Sequence, residues 1–275
     1  MSAVAISVPT VMRIAANVFK ESVRDKVLYN LVAFAVLLIV STFLLGQLTA
    51  GQDIKIIKDL GLAAISLFGL MIAVFIGIGL VWKEVDKRSI YGVLSKPVSR
   101  QQFVLGKFFG LLLTLAVNLL VMTVAFYAVL ALNAWMASPA TLAAMQTPAA
   151  DPAMLKAILL IGIELTLVTA IALFFSTFSS PFLSAGLTVG LWVIGHFNND
   201  FRNFGDIVDS RAAVWLTRAL YYLLPNFAAF DIKSQVIWGE PVAGRDLALT
   251  VLYGFVYVAL VVTGAVTIFS RRDLK

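Results

Sequence analysis

The chain has 275 residues, 61% hydrophobic and only 13% charged, with a formal net charge of +6 and a mean hydropathy of +0.96. A soluble domain is roughly 45–50% apolar and about 25% charged, so an excess on this scale points to lipid rather than to a larger core. The absence of cysteine excludes a disulfide framework, a thiol nucleophile and a Cys-based metal site, and a single histidine, His196, argues against a His-rich one.

Residues 1–8 have no basic n-region, which argues against a signal peptide. From Pro9 onward Val11, Ile14, Ala15, Val18 and Phe19 recur at helical spacing, opposite Arg13, Asn17 and Lys20. This predicts an amphipathic helix over 9–26, lying in the membrane interface; the blander alternative is a soluble cytoplasmic tail. A hydrocarbon core of about 30 Å takes about 20 residues per helix. Six runs meet or approach that length: 28–48, 60–82, 103–132, 155–175, 182–197 and 247–269. The third is long enough to tilt or to project from the bilayer. The fifth is short and starts at Ser180 and Pro181, a cap and a first helical residue whose missing amide costs nothing.

Between the second and third runs lies a charged bracket, 83–107. It carries six basic residues (Lys83, Lys87, Arg88, Lys96, Arg100, Lys107) and two acids, Glu84 and Asp86. Ile90, Val93 and Leu94 fall on one side of a helix, with Lys83, Asp86 and Lys87 on the other. Pro97 stops that helix, and Ser99 with Gln102 forms a capping-box pattern for the next one. Two readings stay open on this pattern: a structured bracket suited to being gripped, or a solvated loop that anchors topology. Residues 198–246, between the fifth and sixth runs, are predicted to form a cap outside the membrane, with a loosely ordered loop as the alternative. Within them 212–224 is apolar but too short to span, and Arg218 sits in its middle. With Trp215, Tyr221 and Tyr222 it reads as an interfacial or re-entrant helix.

Six spans put both termini and the bracket on one side, with 13 of the 21 basic residues and 5 of the 15 acids. That side is net +8 and the other −1, so the positive-inside rule makes it cytoplasmic. The basic balance therefore reflects a membrane surface rather than nucleic acid. Small residues recur every four positions at Gly69, Ala73 and Gly77, at Gly106, Gly110 and Thr114, and at Gly186 and Gly190. Such faces let helices approach closely, within the chain or between subunits. Glu164 is the one ionisable residue deep in a span, and Asn118 is an uncharged polar group in the third. Glu164 is either hydrogen-bonded between helices in its protonated form or lines a translocation path, and Asn118 meets it only if the third and fourth spans pack together. The chain has no P-loop, since Gly106-Lys107 is followed by Phe108 and Gln101 stands at the first glycine position. It also lacks H-E-x-x-H and G-x-S-x-G signatures.

The bracket's acid and basic residues, its Ile90-Tyr91-x-x-Leu94 run, Lys96-Pro97-Val98-Ser99-Arg100 and Leu105-Gly106-Lys107 resemble the first cytoplasmic loop of ATP-binding-cassette type-2 permeases. The similarity continues through Ser176-Thr177-Phe178-Ser179-Ser180, Leu224-Pro225-Asn226 and the closing Phe269-Ser270-Arg271-Arg272-Asp273-Leu274. The resemblance implies one all-α membrane domain over 1–275 with six transmembrane helices. It makes 9–26 an elbow helix and 83–102 a cytoplasmic loop whose coupling helix docks on a separate ATPase. Glu84, Arg88, Tyr91 and Leu94 share one helical stripe and are the expected ATPase-coupling residues. ATP and magnesium would then bind the partner, with no cofactor or metal on this chain. The other expected partners are a second permease subunit, identical or related, and lipid, but not nucleic acid. The expected function is export of a substrate that the sequence does not name, in a multi-pass protein of the bacterial inner membrane. Two alternatives stand beside it: a secondary transporter, which would need more polar groups in its spans, and a non-transporting scaffold coupled to an ATPase.

Overall fold

The computed structural model describes residues 7–47, 53–86, 99–137, 148–198 and 211–271. In chain order the helices are α1 (Val8–Val23), α2 (Lys26–Gln47), α3 (Asp53–Asp86), α4 (Arg100–Met136), α5 (Met154–Ser176), α6 (Pro181–His196), α7 (Arg211–Leu223), α8 (Lys233–Ile237) and α9 (Gly244–Arg271). A 3₁₀ turn, Phe227–Phe230, precedes α8, and no strand occurs among the described residues.

Five of these helices are long and apolar enough to cross a membrane: α2, α3, α4, α5 and α9. The sixth apolar helix, α6, has 16 residues, about 24 Å at 1.5 Å per residue, which is short of a full core. α5 is the axis of the bundle. It is the most enclosed of the five and packs against α3, α4, α6, α8, α9 and the 3₁₀ turn. Apolar side chains lie on all of its faces, as expected for a helix surrounded by other helices.

Two spans are longer than the apolar runs that announce them. α4 continues through 37 residues, about 55 Å at 1.5 Å per residue, so it projects well beyond the hydrocarbon. α3 starts seven residues before Leu60, because Lys58 is drawn into the fold. Its side chain is fully buried, with Nζ donating to the Pro148 carbonyl at 2.9 Å. One turn earlier, Lys55 lies over the Trp238 ring, 3.9 Å from its centre. At its other end α3 runs unbroken to Asp86. Lys83–Asp86 thus belong to the end of the second span rather than to the start of a separate helix. The remainder of the expected coupling helix and its stop at Pro97 lie outside the described residues.

The start of α4 is built as the capping box requires. Ser99 Oγ accepts from Gln102 N at 3.3 Å, and Gln102 Oε1 accepts from Ser99 N at 3.0 Å. The apolar stripe of α1 faces this helix: Val11, Ala15 and Val18 are buried, and Gly106 and Gly110 of α4 let the two backbones meet. α1 is therefore an amphipathic helix whose apolar side packs chiefly against protein.

Candidate functional site

Near the middle of α5 is the carboxyl group that the sequence singles out. Glu164 is 4% exposed, and its Oε1 accepts a hydrogen bond of 2.7 Å from Trp192 Nε1 on α6. His196, one turn after Trp192, brings Nε2 to 3.6 Å from the same oxygen. Its other ring nitrogen, Nδ1, is 3.0 Å from the Trp192 carbonyl. A carbonyl oxygen only accepts, so Nδ1 carries a proton and Nε2 is the nitrogen turned towards the carboxyl group. The facing pair is favourable with one proton between them, either as imidazolium and carboxylate or as imidazole and carboxylic acid. Both forms are net neutral, which makes the buried position tolerable.

This network ties the middle of α5 to the last turns of α6, away from the hairpin turn. At the other end of the hairpin, Ser179 Oγ and Ser184 Oγ are 2.7 Å apart, and Ser180 caps α6 through Leu183 N at 3.5 Å. Phe174, Phe175 and Phe178 pack edge to face around the turn. The Ser176–Ser180 motif is thus the hairpin turn itself. The Leu224-Pro225-Asn226 motif forms the opposite corner. Asn198 Nδ2 donates to the Leu224 carbonyl at 3.1 Å, and Asn226 N donates to Tyr253 Oη at 2.8 Å.

From Glu164 an aromatic chain leads around α5. His196 is stacked on Phe227 with ring centres 5.9 Å apart. Phe227 then meets Phe230, Phe230 meets Tyr253, and Tyr253 meets Tyr257. Gly195 makes room for this arrangement, since a Cβ there would collide with the Phe227 ring and the Pro225 carbonyl. Asp231 and Lys233, 3.5 Å apart, lie within electrostatic reach of Glu164. The described residues 224–243, after α7, are folded against α5 through the 3₁₀ turn and α8.

Asn118 does not join this site. The third and fourth long spans do pack together, yet Asn118 Nδ2 donates to the Thr114 carbonyl of its own helix at 2.6 Å. Thr166 and Thr169, the nearest hydroxyls in sequence, likewise bond the carbonyls of Gly162 and Leu165. Trp192 and His196 are the partners that the sequence reading missed. Of the ATPase-coupling residues, Glu84 falls in the last turn of α3, and Arg88, Tyr91 and Leu94 lie outside the described residues. Among the described residues no group of acids and histidines could hold a metal ion.

Five membrane-length helices, four of them around the enclosed fifth, with a short sixth hairpin partner, define a polytopic membrane protein among the described residues. Residues 12–200 match the family described as ABC-2 family transporter protein, which is more than half of the chain. The chain belongs to this family of ATP-binding-cassette transporter membrane proteins. No curated protein matches it.

Proposed function

We propose that the chain is the permease subunit of an ATP-driven exporter, energised by a separate ATP-binding-cassette ATPase that grips the 83–102 coupling loop. The observation that carries this reading is the family match over 12–200, which includes most of α1, the bracket and the α5–α6 hairpin. Six spans follow if α6 crosses with its neighbours, and the charge distribution then puts both termini and the bracket in the cytoplasm. The chain has no cysteine, so single cysteines report this topology cleanly. A cysteine at Ser99 or Ser270 is expected to resist an impermeant thiol reagent outside intact cells and to react after lysis. Reaction in intact cells would reverse the orientation.

Polar groups in the spans support a passive role for most of the bundle. Asn118, Thr123, Thr166 and Thr169 all donate to carbonyls of their own helices, which offers no relay of the kind an ion-driven carrier needs. A second permease subunit is expected on the open face of α6. A Cβ at Gly186 or Gly190 would meet nothing within 4 Å, unlike Gly69, Gly77, Gly106 and Gly110, all of which touch other helices of the chain. Phe182, on the same helix, is 90% exposed. Glu164 serves in this reading as an interhelical fastener that holds α6 to α5, with path lining as its alternative role.

The docking assignment has its own test. Alanine at Glu84 and Arg88 together is expected to lower the amount of co-purifying ATPase roughly tenfold, the loss of two charged interface contacts at about 0.7 kcal/mol each. The membrane-inserted amount of the permease should stay constant. Unchanged co-purification and unchanged ATP hydrolysis would remove these residues from the interface. Flux of labelled lipid, peptide and drug-like probes into inverted vesicles, with and without ATP, separates an exporter from a scaffold.

A further inference from the structure

We infer that the cytoplasmic ends of α4 and α9 form one rigid joint, with Arg100 as the positioning residue that makes the last span follow the bracket. This deepens the docking reading above and rests on it. The bracket leaves the ATPase side through Ser99, whose capping box fixes the first turn of α4. The next residue is Arg100. Its Nη1 donates to the Ser270 carbonyl at 3.1 Å, in the last turn of α9. A helix C-terminus has unpaired carbonyls and partial negative charge, so a guanidinium there is both a hydrogen-bond donor and a complementary charge.

A second contact lies one turn deeper. Phe103 of α4 and Phe269 of α9 are stacked, with ring centres 5.7 Å apart and planes at 18°, and both are buried. Lys107 continues the same face and is 1% exposed, with Nζ 5.2 Å from the centre of the Phe103 ring. Three and seven residues after Phe103, on the same face of α4, Gly106 and Gly110 receive α1. The first three turns of α4 thus pack against both α1 and α9 along adjoining parts of one face. A pull on the bracket reaches the last span at its cytoplasmic end, without crossing the bundle core. Of the contacts that make this joint, the Arg100 bond lies nearest to Ser99 and ties the first turn of α4 to the last turn of α9.

The test uses the assembled complex, with magnesium and ATP as the only added ligands. Gln101 and Ser270 are exposed and sit beside the joint, so cysteines at both give a unique pair for a short bifunctional thiol reagent. In that background Arg100→Ala is expected to lower ATP hydrolysis by the complex roughly tenfold, an ordinary size for coupling between two sites. ATPase co-purification should stay unchanged, and tethering the pair should restore hydrolysis. In the parent pair with Arg100 intact, the tether should leave hydrolysis unaltered. Normal hydrolysis in Arg100→Ala, failure of the tether to rescue it, or inhibition of the parent by the tether would overturn the joint. Loss of the ATPase from Arg100→Ala alone would also overturn it, by making Arg100 a contact of the partner. If no ATPase associates with the parent chain, the docking reading fails instead.

Discussion

Glu164→Leu is expected to destabilise the folded bundle by roughly 2 kcal/mol, while insertion of the span becomes easier. The two effects have opposite signs and act on different steps. On insertion scales an ionised carboxylate near the bilayer centre costs about 2.5–3.5 kcal/mol, so a helix carrying leucine enters lipid more readily. Once inserted, the wild-type carboxyl group gains by leaving lipid for Trp192 and His196, and leucine gains nothing there. It also strands the Trp192 indole N–H, whose one acceptor is Glu164 Oε1, and an unmatched buried donor costs about 1–3 kcal/mol. Glu164→Gln keeps an acceptor for the indole and should stay within about 1 kcal/mol of wild type, the scale of an interhelical hydrogen bond in lipid. Thermal unfolding of the purified subunit in detergent, beside the membrane-inserted yield, separates the two steps. A leucine variant with unaltered melting and transport would end both accounts of this residue. A folded, ATPase-bound Gln variant that no longer transports would assign Glu164 to the path instead.

Much of the helical plan was legible because lipid imposes length and polarity together. All six apolar runs are helices, as are the amphipathic stretch after Pro9 and the short 212–224 segment. Helix ends were less legible where a charged residue is drawn into the fold. The run beginning at Leu60 gave no sign that Lys58 would be buried, because its acceptor is the Pro148 carbonyl, 90 residues away. The partners of Glu164 were within reach of a simple count. Glu164 lies 14 residues before Phe178 and Trp192 lies 14 after it. A tight hairpin at Ser179-Ser180-Pro181 therefore sets the two at one depth. Pairing Glu164 with Asn118 relied on contact between two spans, which is real, but contact does not fix which faces meet. Nothing in spacing could order the aromatic chain from His196 to Tyr257, since it is assembled from α6, the 3₁₀ turn and α9.

The small-residue faces give the other large expected effect, because the structure divides them into two kinds. A side chain at Gly110 would begin 2.6 Å from Val18 Cβ and 2.7 Å from the Ala15 carbonyl oxygen. A carbonyl held in the α1 backbone cannot swing aside as a long side chain can, so α1 has to move as a unit. Intrinsic helix propensity argues the other way, since leucine is better than glycine by about 0.8 kcal/mol in a helix interior. Overpacking costs typically about 1–3 kcal/mol, with the upper end expected against backbone. Gly110→Leu should therefore lose about 2 kcal/mol net, with α1 detached from α4 and open to protease near Arg13 and Lys20. Gly190→Leu is the matched comparison, for a Cβ added there meets no atom of this chain within 4 Å. It should leave the melting of the isolated subunit unchanged or slightly raised and, if α6 carries the permease–permease contact, should shift the complex towards single permease copies. Unaltered melting and protease resistance in Gly110→Leu would mean that α1 is not held by α4, and the first turns of α4 would lose one of the two helices packed against them.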